Sequence, residues 1–269
     1  MDPTDRDVRL VREERRSGPM QMALDEIAAR TVADGGPWTV RVYSWEPSTL
    51  SLGYHQDPET VDWAALERAD VEVTRRQTGG GGIYHDAVGD ISYSIALPTA
   101  AVPGDLLESY DRLMTPIFEA FDRMGIDASY VDEERPARYE PACYLRELHP
   151  AHDVVVDGRK ISGNAQYRTR EAIIQHGSLS FASDPERHLG AFVDPAVDAA
   201  GFRDRVTSIR ETGDVDRDGA VAALESALAN WADAEEAAWT AAELESARSL
   251  AREKYAAAAW NRRREDPTE

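Results

Sequence analysis

Apolar positions recur along the chain with two periods, and together they lay out a series of short elements. Residues 1–16 are polar and read as a loosely held lead-in or an edge strand. Residues 19–30 carry Met22, Leu24 and Ile27 among alanines, the spacing of a helix, and Gly35, Gly36 and Pro37 close it. Residues 38–45 alternate apolar with polar side chains as a half-buried strand does, and residues 49–54 and 71–75 read as further strands around a short helix at 58–69. A clear strand follows at 91–97, then a helix at 103–124 that Pro116 is expected to kink or split. Residues 154–156 and 159–161, joined by Asp157-Gly158, form a hairpin pattern. Residues 172–181 are another strand region. After Asp184 the chain turns helical, most clearly at 220–232 and 241–257. No repeat or low-complexity linker divides these elements. The expectation is one α/β (α+β) domain over 1–269, with a mixed, largely antiparallel sheet and terminal helices.

Composition narrows the function. Asp and Glu number 50 against 30 Lys and Arg, a formal charge of -20, which disfavours nucleic acid as the main partner because phosphate binding needs a basic footprint. No apolar run is long enough to cross a bilayer, and residues 1–16 resemble neither a signal nor a transit peptide, so a soluble cytoplasmic protein without membrane partners is expected. The acidic surface resembles adaptation to high salt. One cysteine, Cys143, excludes an internal disulfide and a cysteine-based metal cluster. Such a residue is either a small core side chain or a nucleophile. Only two lysines, Lys160 and Lys254, stand among 28 arginines. A lysine kept in such a chain supplies a compact point charge that arginine does not.

Chemistry concentrates in two stretches. The first is residues 75–86, RRQTGGGGIYHD. Its four glycines, Gly79, Gly80, Gly81 and Gly82, form either an anion cradle of backbone N–H groups or a flexible hairpin loop. Arg75 and Arg76 favour a phosphate or carboxylate, which guanidinium forks bind bidentately. Tyr84, His85 and Asp86 follow, with His85 suited either to proton transfer or to holding a turn. The pattern is neither a Walker A loop nor a dinucleotide fingerprint, and no second His at ligand spacing supports a protein-held metal. The second stretch is residues 160–166, KISGNAQ, with Gln175, His176 and Gly177 soon after. Small residues after Lys160 let a substrate approach the backbone, and the ammonium would stabilise charge that grows in a transition state.

These two stretches, with QHGSL at 175–179 and KYAAAAWN at 254–261, resemble the lipoate-protein ligase A and octanoyltransferase superfamily, which is related to biotin protein ligases and implies a mixed sheet flanked by helices, similar in fold to the catalytic domains of biotin ligases and class II synthetases. The resemblance implies that Arg75, Gly79, Gly80 and Gly81 enclose an acyl chain or adenylate phosphate. It implies that Lys160 contacts the activated carboxyl group and that Gly163, Asn164, Ala165 and Gln166 line the same pocket. It also implies as partners the lipoyl domains of 2-oxoacid dehydrogenase E2 subunits or the glycine-cleavage H protein. TGGGGIYHD is closer to the ligase form, and His152-Asp153 resembles the ligase's Asn-Asp pair. The first expectation is therefore a ligase that uses ATP and Mg²⁺ to make lipoyl-AMP. A C-terminal accessory domain is not visible, so a separate small accessory protein is expected with it. Against this, Cys143, 17 residues before Lys160, resembles the nucleophile of cysteine-type octanoyltransferases. The alternatives are an ATP-independent transfer of octanoyl from acyl carrier protein through a Cys143 thioester, and a noncatalytic lipoyl-domain binding protein.

Overall fold

The structure, a computed structural model, describes residues 7–102, 104–150 and 152–268. Strand β1 (Val8–Arg16) leads into α1 (Gly18–Ala33), β2 (Trp38–Trp45), β3 (Thr49–Leu52), α2 (Trp63–Arg68), β4 (Glu72–Arg75), β5 (Ile83–His85) and β6 (Asp90–Pro98). Then come α3 (Leu106–Arg123), β7 (Ser129–Tyr130), β8 (Asp153–Val156), β9 (Arg159–Arg168) and β10 (Ala172–Ser180). Helices α4 (Pro185–Gly190), α5 (Ala199–Arg203), α6 (Ile209–Thr212) and α7 (Arg217–Ala232), strand β11 (Glu235–Glu236) and α8 (Ala241–Leu250) complete the order, followed by two π-helical turns. No helix among the described residues is long and apolar enough to cross a membrane.

Eight strands form one sheet in the order β11-β1-β2-β6-β10-β9-β8-β7, and β4-β3-β5 form a second, smaller one. Only the β1 pairings are parallel in the large sheet, so it is mixed and mostly antiparallel, as expected. The polar lead-in is thus a paired strand from Val8 onward; residues 1–6 and Pro103 lie outside the described residues. Period-2 patterning gives the sheet two different faces. On β6, Ile91, Tyr93, Ile95 and Leu97 point into a core shared with α3 and α7. Ala96 on the opposite face joins Tyr43, Trp45 and the apolar residues of α1 and α8. Helix α3 runs through Pro116 as one element, so the proline does not split it. Leu113, Ile117 and Phe121 are all fully buried, and their packing holds the helix across the missing N–H.

The β8–β9 hairpin turns at Asp157 (φ 49°) and Gly158 (φ 71°), the two left-handed residues that a tight Asp-Gly turn requires. Val154 pairs with Ser162 but Val155 pairs with Lys160, so Ile161 is an extra residue in the ladder. This bulge sends Ile161 into the α3–α7 core and turns Lys160 to the other side, into the cavity described next.

Candidate active site

A cavity of about 380 Å³ lies between the large sheet and the glycine loop. Its floor is a register row crossing five strands: Asp153 of β8, Gly163 of β9, Ser178 of β10, Ser92 of β6 and Tyr43 of β2. Met22, Trp45 and Ile83 add apolar wall, while Arg146, Glu147, His149 and His152 lie toward the more exposed mouth.

At the β9 end of this row stands Lys160. Its Nζ is 2.7 Å from Asp153 Oδ1, with both side chains 3% exposed, and it donates to the Cys143 carbonyl at 3.2 Å. Burial pushes the Lys160 ammonium toward neutrality, but Asp153 beside it outweighs burial, and the net shift is upward. Burial likewise raises Asp153, yet Lys160 and His152 carry it well below the usual carboxylate range. Gly163 leaves the space in which the two groups meet. A Cβ there would lie 3.4 Å from Lys160 Nζ and 3.6 Å from Cys143 Sγ.

Cys143 opens a 3₁₀ turn that is joined to the glycine loop. Gly82 N–H donates to Pro141 O at 2.7 Å, and Cys143 N–H donates to Gly82 O at 2.8 Å. A side chain on Gly81 would strike Pro141 O at 2.8 Å and Cys143 N at 2.9 Å, so only glycine admits this approach. Arg76 braces the loop from within, donating to Ser51 O, Gly79 O and Gly81 O at 2.7–2.8 Å.

Two histidines sit in the walls, each oriented by a carboxylate. His85 Nδ1 faces Asp90 at 2.9 Å, Nε2 faces Ser51 Oγ at 2.8 Å, and the ring stacks on Trp45 with centroids 3.9 Å apart. Burial lowers the pKa of His85 despite Asp90. His176 Nδ1 faces Asp25 at 3.0 Å and Nε2 faces Thr78 Oγ1 at 2.7 Å, linking the sheet to the loop. Asp25 is raised by burial but drawn down to about 2 by Arg41, which it binds at 2.7 Å. Asn164 accepts from Tyr93 OH at 2.7 Å and donates to His152 O at 2.9 Å.

Of the residues singled out from sequence, Arg76, Gly79, Gly80, His85, Cys143, Lys160, Gly163, Asn164, Ala165, Gln166 and His176 line this cavity. Arg75, Gly81, Gly82, Tyr84 and Asp86 are not among its lining residues. The Arg75 guanidinium is occupied by backbone, donating to Gly53 O, Tyr54 O and Gln56 O from one side and to Asn261 O from the other. It is a brace between segments and not an anion clamp. Asp86 caps its own turn through Val88 N and Gly89 N and pairs with Arg187, and the Tyr84 ring meets His188. Tyr43, Trp45, Ser92 and Ser178 were not singled out from the sequence, and Met22 was read there only as a helix position. For Ser92 and Ser178 the only signal was the small-residue face of strands whose other face is apolar.

A buried cationic lysine beside a cysteine, over a glycine gap in an acyl-sized cavity, defines a class of acyl-handling enzyme. The lipoyl protein ligase A/B catalytic-domain family matches residues 17–230, and the chain belongs to that family. An octanoyltransferase LipM of Exiguobacterium sp. is 35% identical over 188 residues, 66% of this chain and 67% of the relative. Another LipM, from Halalkalibacterium halodurans, is 30% identical over 269 residues, 90% of this chain and 94% of the relative. Among solved structures, a lipoate-protein ligase A bound with ATP superposes with a TM-score of 0.78 at 24% identity, covering 95% and 98% of the two chains. A bipartite ligase of Thermoplasma acidophilum, studied with its E2 lipoyl domain, gives 0.77 at 22% identity, covering 96% of each. The two structures establish the shared fold.

Proposed function

We propose that the chain is an octanoyltransferase that moves the acyl group from a carrier-bound thioester, through Cys143, to a lysine of a lipoyl domain. The observation that carries this reading is the meeting of Cys143 Sγ and Lys160 Nζ over Gly163 inside the cavity. The LipM relatives support the same choice, ahead of the ATP-dependent ligase expected from the glycine motif.

In the first half-reaction the Cys143 thiolate attacks the donor thioester carbonyl. The carbonyl oxygen becomes an oxyanion, which the Lys160 ammonium stabilises, with Asp153 and the Cys143 carbonyl fixing the ammonium's direction. Collapse breaks the donor C–S bond, and the donor leaves as a thiol after taking a proton. In the second half-reaction the neutral lysine amine of the lipoyl domain attacks the Cys143 thioester. An amide forms, the Cys143 C–S bond breaks, and the amine proton is released as the thiolate is restored. A thioester is already activated, so this route consumes no ATP and needs no Mg²⁺. Arg75 and Arg76 also fit it, since their guanidinium groups hold backbone carbonyls in place of a phosphate. The acceptor lipoyl domains would be those of E2 subunits or of the H protein.

Intact-mass measurement on an apo lipoyl domain tests the proposal. Octanoyl carrier protein without ATP should modify it, with an acyl adduct on Cys143 that Cys143→Ser abolishes. Modification that requires lipoate, ATP and Mg²⁺ and survives Cys143→Ser would establish the ligase instead.

A further inference from the structure

On the transferase reading, one proton must reach the departing donor thiolate and one must leave the attacking lysine amine. We infer that both pass through His152, an imidazole at the cavity mouth, and this assignment rests on that reading. Four imidazoles line the cavity, and three of them are engaged. His85 has Asp90 on Nδ1 and Ser51 on Nε2, and His176 has Asp25 on Nδ1 and Thr78 on Nε2. Both nitrogens of each ring are held, so neither ring is open to a substrate proton. His149 Nε2 faces the Glu134 carboxylate at 3.4 Å. His152 differs from all three. Its Nδ1 is buried, no hydrogen bond reaches that atom among the described residues, and Asp153 Oδ2 stands 3.7 Å away. The side chain is 34% exposed, so its opening to the mouth lies away from Nδ1. A ring with one open edge and a carboxylate behind it can exchange a proton with a substrate while the carboxylate steadies the imidazolium.

The ring is held in place. It stacks on His149 with centroids 5.1 Å and planes 11° apart, and the Tyr110 ring of α3 meets it at 5.5 Å. Asn164 Nδ2 donates to the His152 carbonyl at 2.9 Å and ties its backbone to β9. The groups that bear on its charge are Asp153 with Lys160 behind it, His149 with Glu134 behind it, and the Tyr110 phenol, with Arg146 and Glu147 also at the mouth. Lys160 is unsuited to the task. Asp153 at 2.7 Å holds it as an ammonium with a raised pKa, so it steadies an oxyanion but takes up no proton near neutrality. Asp153 thus presents Oδ1 to a cation that stays charged and Oδ2 to a ring that can gain and lose its charge.

The proton count closes over one turnover. The cycle starts from the Cys143 thiolate and the His152 imidazolium. The thiolate attacks the donor carbonyl, the donor C–S bond breaks, and the imidazolium protonates the departing sulfur. Neutral His152 then takes the proton from the lysine nitrogen as that nitrogen attacks the Cys143 thioester. The amide bond forms, the Cys143 C–S bond breaks, and thiolate and imidazolium are restored. One proton has moved from acceptor amine to donor thiol, and no further reactant enters.

Two donors and two acceptors, followed by intact mass, separate the proton steps from the rest. The donors are octanoyl carrier protein and octanoyl para-nitrothiophenol, whose thiolate leaves without a proton. The acceptors are the lysine of an apo lipoyl domain and hydroxylamine, whose nitrogen sheds its proton to water unaided. In His152→Asn, loading of Cys143 from the nitrothiophenyl donor and discharge to hydroxylamine should stay close to wild type, which also shows that the variant is folded. Loading from carrier protein should slow, and discharge to the lipoyl lysine should fall about a hundredfold or more. Imidazole added to His152→Ala should restore part of the lysine rate. Equal slowing with both acceptors would give His152 a structural part and overturn the inference, as would an unchanged lysine rate. A wild type that forms no Cys143 adduct from either donor removes the transferase reading, and the proton assignment falls with it.

Discussion

The two lysines of this chain occupy two regions that solve one problem differently. Both are buried at 3% exposure or less, and both are paired with carboxylates. Lys254 lies in the first π-helical turn, with Glu26 at 3.0 Å, Asp266 at 2.5 Å and the Trp260 ring 4.6 Å away. Glu26 is shared further with Tyr255 OH at 2.6 Å and Gln77 at 2.9 Å, so the site is closed by protein on all sides named. Lys160 has one carboxylate and one carbonyl and lines the cavity. A saturated ammonium is a clasp, whereas one with an open side is available to a substrate.

Substitution separates the two. Lys160→Ala should lower the turnover of folded protein by about a hundred- to a thousandfold, the scale of a lost oxyanion partner. Its melting point should move less than that of Lys254→Ala, because water in the cavity can solvate the Asp153 left behind. Steady-state rates beside a thermal melt decide this, and a Lys160→Ala enzyme of normal rate would break the comparison. Lys254→Ala strands two carboxylates and should cost about 3–4 kcal/mol of stability, while the rate per folded molecule stays near wild type. Urea unfolding measures it.

A third buried base sharpens the contrast by having no partner. Neither ring nitrogen of His188 is hydrogen-bonded among the described residues, and the ring lies between Tyr84, Tyr144 and Phe202. Burial lowers its pKa from 6.5 to about 4. The unfolded chain then binds the proton first, so stability is full above pH 6.5 and falls as pH drops toward 4, by about 3 kcal/mol at most. His188→Leu should flatten that window in urea titrations across pH. Asp153 acts in a different window: its depressed pKa gives stability above the ordinary carboxylate range that is lost only in stronger acid. A His188→Leu protein that still weakens between pH 6.5 and 4 would show that another group titrates there.

Much of this was readable from local pattern. The Asp157-Gly158 turn, strand β2 and the two motif stretches follow from residues that are near neighbours in sequence, where turn chemistry and period-2 alternation act directly. What sequence could not supply was pairing. Nothing in the local pattern of Ser92 or Ser178 says that they share a register row, or that a bulge at Ile161 reverses the direction of Lys160. Arg75 misled for a related reason: a guanidinium beside a glycine run suits an anion and a bundle of backbone carbonyls equally well. Only the return of the chain at Asn261, far along the sequence, decides between them.

The two backbone hydrogen bonds that join Gly82 to Pro141 and Cys143 act as an interlock. Because the turn that carries Cys143 is tied to the glycine loop, a displacement of either segment is transmitted to the other, and with it to the place of the sulfur over Gly163. On the proposed transferase route, loop position and thiol position thus become one variable, held by main chain and not by side chains.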